Sequence, residues 1–165
     1  MQIDTLVVGA LQENCYIITK NNFSIIIDPG DEALKIIEAC KNKNVKEILV
    51  THNHFDHVGA LKEVENYFKL KANNKSGFFD YEVIHNPGHS ADSKTFYFKE
   101  NKIMFCGDFI FYGTIGRTDL ETGSDLDMIK SLKLIQKYPD EIILYPGHGP
   151  KTTLGDEKKR FNYYY

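Results

Sequence analysis

The sequence predicts an α/β protein with its strands and helices in two similar sets, packed as layers of a single domain over residues 1–165. Three observations carry that expectation. The length of 165 residues suits one core built without disulfide staples and excludes two large domains. Short β-branched runs separated by polar or Gly-containing breaks open the chain, recur after residue 80, and in each half lead into helix-period segments. A composition of 42% hydrophobic, 13% aromatic and 26% charged residues is globular; it excludes a disordered tail or a collagen-like repeat, and no low-complexity linker marks a boundary.

Residues 3–8, 15–19 and 23–27 read as strands of a meander. The turn Asp28-Pro29-Gly30-Asp31 follows, with Asp31 expected to cap a helix over residues 32–41 that turns Leu34, Ile37 and Cys40 to one face. Residues 45–50 form a buried strand. The polar loop Thr51-His52-Asn53-His54-Phe55-Asp56-His57 comes next, before an amphipathic helix carrying Leu61, Val64 and Phe68. After a Gly-, Lys- and Asn-rich connection over 69–79, residues 81–85, 95–98 and 102–106 are strands again. Ser124 and Asp127 form a capping pair for a helix with Leu126, Ile129, Leu132 and Ile135 inward, and residues 142–145 make a last strand. Three adjacent tyrosines, Tyr163, Tyr164 and Tyr165, cannot all face inward on a regular element; they either pack with a frayed end or form a dimer contact or pocket rim.

Charge and cysteine usage narrow the function classes. Twenty basic against twenty-three acidic residues give a net charge of −3 with no basic stripe, which argues against nucleic acid as a partner. No window has the apolar length of a membrane span and the N-terminus lacks a basic leader, so a cytoplasmic protein without a membrane role is expected. Cys15, Cys40 and Cys106 are odd in number and contain no CxxC pair, which fits a reducing compartment.

The histidines carry the chemistry. His52, His54, Asp56 and His57 fall within six residues, all of them side chains that bind Zn, Mn or Fe, and the group serves two adjacent ions better than one tetrahedral ion. Pro87-Gly88-His89 and Pro146-Gly147-His148 each place a histidine beyond a strand end, and Asp108 follows the strand over 102–106, where a carboxylate can bridge two cations. The sixth histidine, His85, is not needed to fill either set and reads as structural or as a support behind the ligands.

With Thr51-His52-Asn53-His54-Phe55-Asp56-His57 (the HxHxDH signature), His89, Asp108 and His148 in this order, the chain resembles the metallo-β-lactamase superfamily, closest to its small glyoxalase II-like hydrolases. Asp28-Pro29-Gly30, the segment 116–120 and Pro146-Gly147-His148-Gly149 agree with it along nearly the whole chain. The resemblance implies a four-layer αββα sandwich and two divalent ions, Zn first with Fe or Mn as alternatives. It implies one ion held by His52, His54 and His89, a second by Asp56, His57 and His148, and Asp108 shared. Asp56 and Asp108 become the catalytic carboxylates. Asp28 matches the aspartate that orients the histidine loop through an imidazole N–H. Two cations lower the pKa of a shared water to about 7, so hydroxide forms without a separate base. Arg117 corresponds to a basic residue that contacts substrate, with an ion pair to Asp119 or Glu121 as the competing role.

The expected activity is hydrolysis of a small-molecule ester or thioester, of the S-lactoylglutathione type. A β-lactam is disfavoured, because many lactamases of the superfamily lack His57 and differ at the shared position. Two other functions compete: a mononuclear iron persulfide (sulfur) dioxygenase, and a metal-binding module without turnover. Long-form glyoxalase II adds a helical domain that reads glutathione, whereas this sequence stops seventeen residues after His148 (148 to 165), so glutathione specificity is not carried over. The stretch from His57 to His89 is short for the family and implies an open pocket. Sequence leaves the acyl group, carrier thiol and oligomeric state undetermined.

Overall fold

A computed structural model describes residues 1–164, so of the terminal tyrosines Tyr165 lies outside the described residues. The chain divides into two compact units, Met1–Asp80 and Tyr81–Tyr165.

The first unit holds a four-stranded sheet in the order β1 (Gln2–Val8), β2 (Glu13–Lys20), β3 (Phe23–Ile27) and β4 (Asn44–Leu49). β1, β2 and β3 are an antiparallel meander. The β2–β3 turn is the pair Asn21-Asn22, both left-handed at φ 51° and 67°, which matches the twist of a two-residue hairpin. The chain then crosses through α1 (Ala33–Ala39) and returns as β4, parallel to β3. β2 and β3 are buried on both faces, which is why they read as unbroken apolar runs, whereas the edge strand β1 is partly exposed. One face of this sheet, with Cys15, Ile17 and Ile26, packs against Ile36 of α1 and Val64 of α3 (Leu61–Phe68).

The second unit repeats the plan. β5 (Glu82–His85), β6 (Lys94–Phe98) and β7 (Ile103–Gly107) are an antiparallel meander, and after α4 (Asp125–Ile135) the strand β10 (Ile143–Pro146) returns parallel to β7. A small hairpin of β8 (Ile110–Phe111) and β9 (Thr114–Ile115) interrupts the crossover, and β11 (Thr152–Thr153) closes the sheet edge beside β10 before α5 (Leu154–Lys158). Met104, Cys106 and Leu144 of the sheet pack on Met128, Leu132 and Ile135 of α4. Two similar sets, each a meander followed by a parallel crossover, are therefore what the chain builds.

Several local expectations need correction. Asp31 does not cap α1; Glu32 holds the cap position with φ 52° and no side-chain cap bond, and Asp31 accepts the adjacent Glu32 N–H. The buried face of α1 is Ala33, Ile36 and Cys40, and Leu34 is 80% exposed. The Ser124 cap of α4 is present, with Asp127 N–H donating to Ser124 Oγ at 3.2 Å, but Met128 takes the inward place expected of Leu126, which is 72% exposed. The loop after β4 is also shorter than expected: Phe55–Val58 is a helical turn, α2, so Asp56 and His57 lie on helix rather than loop. All three cysteines are buried thiols; burial pushes the Cys40 thiol up to about 11 and Cys15 well above its ordinary value, which leaves neither as a nucleophile. Tyr163 is exposed, and Tyr164 packs against the core of the second unit.

Candidate metal centre

In both units the chemistry-bearing residues follow the C-terminal ends of the parallel pair: Asp28 after β3 and Thr51–His57 after β4 in one, Asp108 after β7 and His148 after β10 in the other. This is where open α/β sheets place ligands, because strand ends leave crevices and backbone groups free for loops. His89 joins them from the β5–β6 connection.

Asp28 organises the first unit. It sits at φ 50°, a left-handed conformation that aspartate tolerates better than most residues, and its amide donates to Leu49 O at 2.9 Å. Its Oδ1 accepts Thr51 N–H at 2.7 Å; its Oδ2 accepts the Thr51 hydroxyl at 2.6 Å and the His57 Nδ1–H at 2.9 Å. A carboxylate only accepts, so Nδ1 of the fully buried His57 carries the proton and Nε2 presents its lone pair. The same logic passes through Thr51. Its hydroxyl proton is spent on Asp28, so Oγ1 accepts from His52 Nδ1 at 3.1 Å and leaves His52 Nε2 as a donor atom for a cation.

His52 Nε2 stands 3.0 Å from His54 Nδ1, and the two rings meet edge to face. Two nitrogens of one tetrahedral Zn site with bonds of 2.0–2.1 Å stand about 3.3 Å apart, so the pair has nearly the spacing of co-ligands. Asp56 Oδ2 lies 3.9 Å from His57 Nε2. The turn that carries them depends on Gly30, where an added Cβ would meet Asp56 O at 1.8 Å.

In the second unit His89 Nδ1 donates to the backbone carbonyl of Arg117 at 2.8 Å, which fixes the proton there and frees Nε2. Asp108 Oδ2 is 3.6 Å from His89 Nε2 and 3.6 Å from His148 Nε2, so one carboxylate oxygen addresses both imidazoles. Gly116 makes room for it: a Cβ there would stand 1.8 Å from Asp108 O and 3.3 Å from His89 Cβ. In both units the donor types, tautomers and spacings fit divalent cations.

The structure thus brings His52, His54, Asp56, His57 and Asp28 together in one unit, and His89, Asp108 and His148 in the other. His85 is exposed on β5. The Arg117 guanidinium is engaged in a two-pronged bond to Asp119 at 2.6 and 2.7 Å, and holds that carboxyl down to about 2. Its backbone carbonyl, rather than its side chain, reaches a histidine. Sequence reasoning missed Glu13, a buried carboxylate whose Oε1 is 3.8 Å from His57 Nδ1. The signal available was an acid opening an apolar strand, but that strand was expected to begin at Cys15.

Comparison with known proteins agrees. A family profile described as "Metallo-beta-lactamase superfamily" matches residues 8–72 and 68–148, a match that breaks where the sequence looked trimmed. The hydroxyacylglutathione hydrolase GloC of Haemophilus influenzae is 32% identical, with 96% of each chain covered; that alignment runs over 203 residues against 165 here, so the relative has segments this chain lacks. The probable metallo-hydrolase YqgX of Bacillus subtilis is 31% identical over 92% of each. Among solved structures, the BLEG-1 B3 metallo-β-lactamase superposes with a TM-score of 0.91 at 28% identity, covering 99% of both chains, and TTHA1623 in a di-iron-bound form with 0.84 at 31%, covering 93% and 96%. Among the described residues no helix is long and apolar enough to cross a membrane. With the signature residues set at the strand ends and relatives matched along almost the whole length, this chain belongs to the metallo-β-lactamase superfamily, a superfamily of mostly metal-dependent hydrolases, and has its fold.

Proposed function

We propose that the protein is a cytoplasmic, single-domain binuclear hydrolase of small esters or thioesters, with S-lactoylglutathione-type thioesters as its substrate class. His52, His54 and His89 would hold one divalent cation and Asp56, His57 and His148 the other, with Asp108 common to both; zinc is the first candidate, and the di-iron form of a 31% identical neighbour supports iron as the second. Bound cations supply a water acidified to a pKa of about 7 and a Lewis acid for the acyl carbonyl. The residues do the rest: Asp28 and Arg117 O keep His57 and His89 in the ligating tautomer, and the Arg117 guanidinium would exchange Asp119 for a substrate carboxylate in the same fork.

The observation that carries this reading is Asp108, whose Oδ2 is equidistant from two histidines that the family pattern assigns to different ions. The thioester assignment is supported by the GloC relative. Metal analysis of protein purified without added metal, paired with S-lactoylglutathione hydrolysis, tests it. About two ions per chain and turnover that is lost in His54→Ala are expected. One iron with oxygen uptake on glutathione persulfide would establish the dioxygenase instead, and nitrocefin turnover above that of the thioester would overturn the substrate class.

A further inference from the structure

We propose that Glu13 is a positioning residue for the metal centre, acting through His57. The inference rests on the reading of His57 as a ligand and adds a group that the family pattern does not supply. Glu13 opens β2 and is 1% exposed, so its carboxylate has been taken out of water at a cost that needs a compensating charge. Its Oε1 is 3.8 Å from His57 Nδ1, on which Asp28 Oδ2 already lies at 2.9 Å. Its other oxygen packs at the Gly30 turn, 2.6 Å from where a Cβ on Gly30 would be, beside the Asp56 backbone.

Glu13, Asp28 and Asp56 therefore surround one imidazole that has a single Nδ1 proton to offer. Asp28 takes that proton in a hydrogen bond; Glu13, at 3.8 Å, acts by charge. Two negative groups behind Nδ1 raise the electron density at Nε2, and with it the affinity of that nitrogen for a cation. Without the cation the same three carboxylates repel one another in a low-dielectric pocket. Glu13 accordingly destabilises the metal-free protein and strengthens the metal-loaded one.

Glu13→Gln keeps the shape and removes the charge. By chelator competition with zinc, affinity for one ion is expected to fall about 10-fold or more, while the metal-free variant unfolds at or above the wild-type temperature and the metal-induced rise in Tm shrinks. Glu47→Gln, at a carboxylate equally buried in β4 and bonded to Ser76, is the control and keeps wild-type affinity. Where the Gln variant does not fold, Glu13→Asp keeps the charge but withdraws it from His57 by one methylene, and a smaller fall in affinity is expected, unchanged affinity overturning the proposal. Unchanged affinity, or a fall in metal-free Tm with affinity intact, would overturn the proposal; so would loss of a third equivalent of metal, which would make Glu13 a ligand itself. His57→Ala in parallel separates the two levels: if it retains both ions, the ligand assignment fails, and if it loses one while Glu13→Gln does not, only the role of Glu13 fails.

Discussion

Asp28→Asn isolates the residue on which the first ligand loop depends. Its carboxylate accepts three hydrogen bonds, at 2.7, 2.6 and 2.9 Å, and donates none. An amide has one acceptor oxygen. Placed at the Oδ1 position, its NH2 faces both the Thr51 hydroxyl and the His57 Nδ1–H; placed at Oδ2, it faces the Thr51 backbone N–H. Two bonds to a charged acceptor are lost in the first orientation and one in the second. At about 1.5–3 kcal/mol each, the metal-free protein loses about 1.5–6 kcal/mol of a total stability on the order of 5–15. Relief of the donor clash also favours moving the His57 proton to Nε2, which blocks the ligating nitrogen and lowers affinity for one ion by about 10- to 100-fold. Urea unfolding of the metal-free protein gives the first quantity, and zinc titration against a chromogenic chelator the second. A variant with the parental urea midpoint and affinity would refute the argument that Asp28 fixes the tautomer.

Other perturbations follow from the same geometry. Gly116→Ala drives a methyl toward Asp108 O, so metal content measured on purified protein is expected to drop with a stability cost of about 1–3 kcal/mol by urea unfolding. Ile36→Ala, at a fully buried position, costs about 2–5 kcal/mol, whereas Leu34→Ala stays within about 0.5 kcal/mol, both read from urea midpoints. In Arg117→Ala the Asp119 carboxyl returns from about 2 toward the ordinary value of about 3.9, observable by carbonyl NMR titration. The folded value is the depressed one, so in the parent the pair's small contribution is present above about pH 3.9 and lost as pH falls through about 2. The same variant raises KM for a carboxylate-bearing thioester more than it lowers kcat.

The parts of the site legible in the sequence are those written by short-range signals. His52, His54, Asp56 and His57 are adjacent in the chain, and His89, Asp108 and His148 each follow an apolar strand and a turn, so type and spacing sufficed. Asp28 was legible only through the family pattern; its three hydrogen bonds depend on β3 and β4 being paired. Gly116 and the Arg117 carbonyl have no local signature, and Glu13 has only that of an acid opening an apolar strand, because each acts on a group distant in sequence. Helix faces failed for a different reason. α1 has seven residues, too few turns to fix a phase, and the left-handed Glu32 shifts its start, so the inward residue is Ile36 instead of Leu34. In α4 the cap was found and Leu132 and Ile135 are inward, yet Met128 displaced Leu126.

The placement of ligands beyond parallel strands also orders events during folding. Hairpin partners in each meander are close in sequence and can pair early, but β3 meets β4 only by joining residues 22 apart (27 to 49), and β7 meets β10 by joining residues 40 apart (103 to 143). Closing the longer loop carries an extra entropic cost of about 0.5 kcal/mol, and parallel pairing is slow because it depends on such closures. In each unit the residues that follow the parallel pair, Asp28 and Thr51–His57 in one and Asp108 and His148 in the other, are placed by this longer-range pairing. The β7–β10 pairing closes the longer of the two loops, so the placement of Asp108 and His148 carries the larger loop-closure cost.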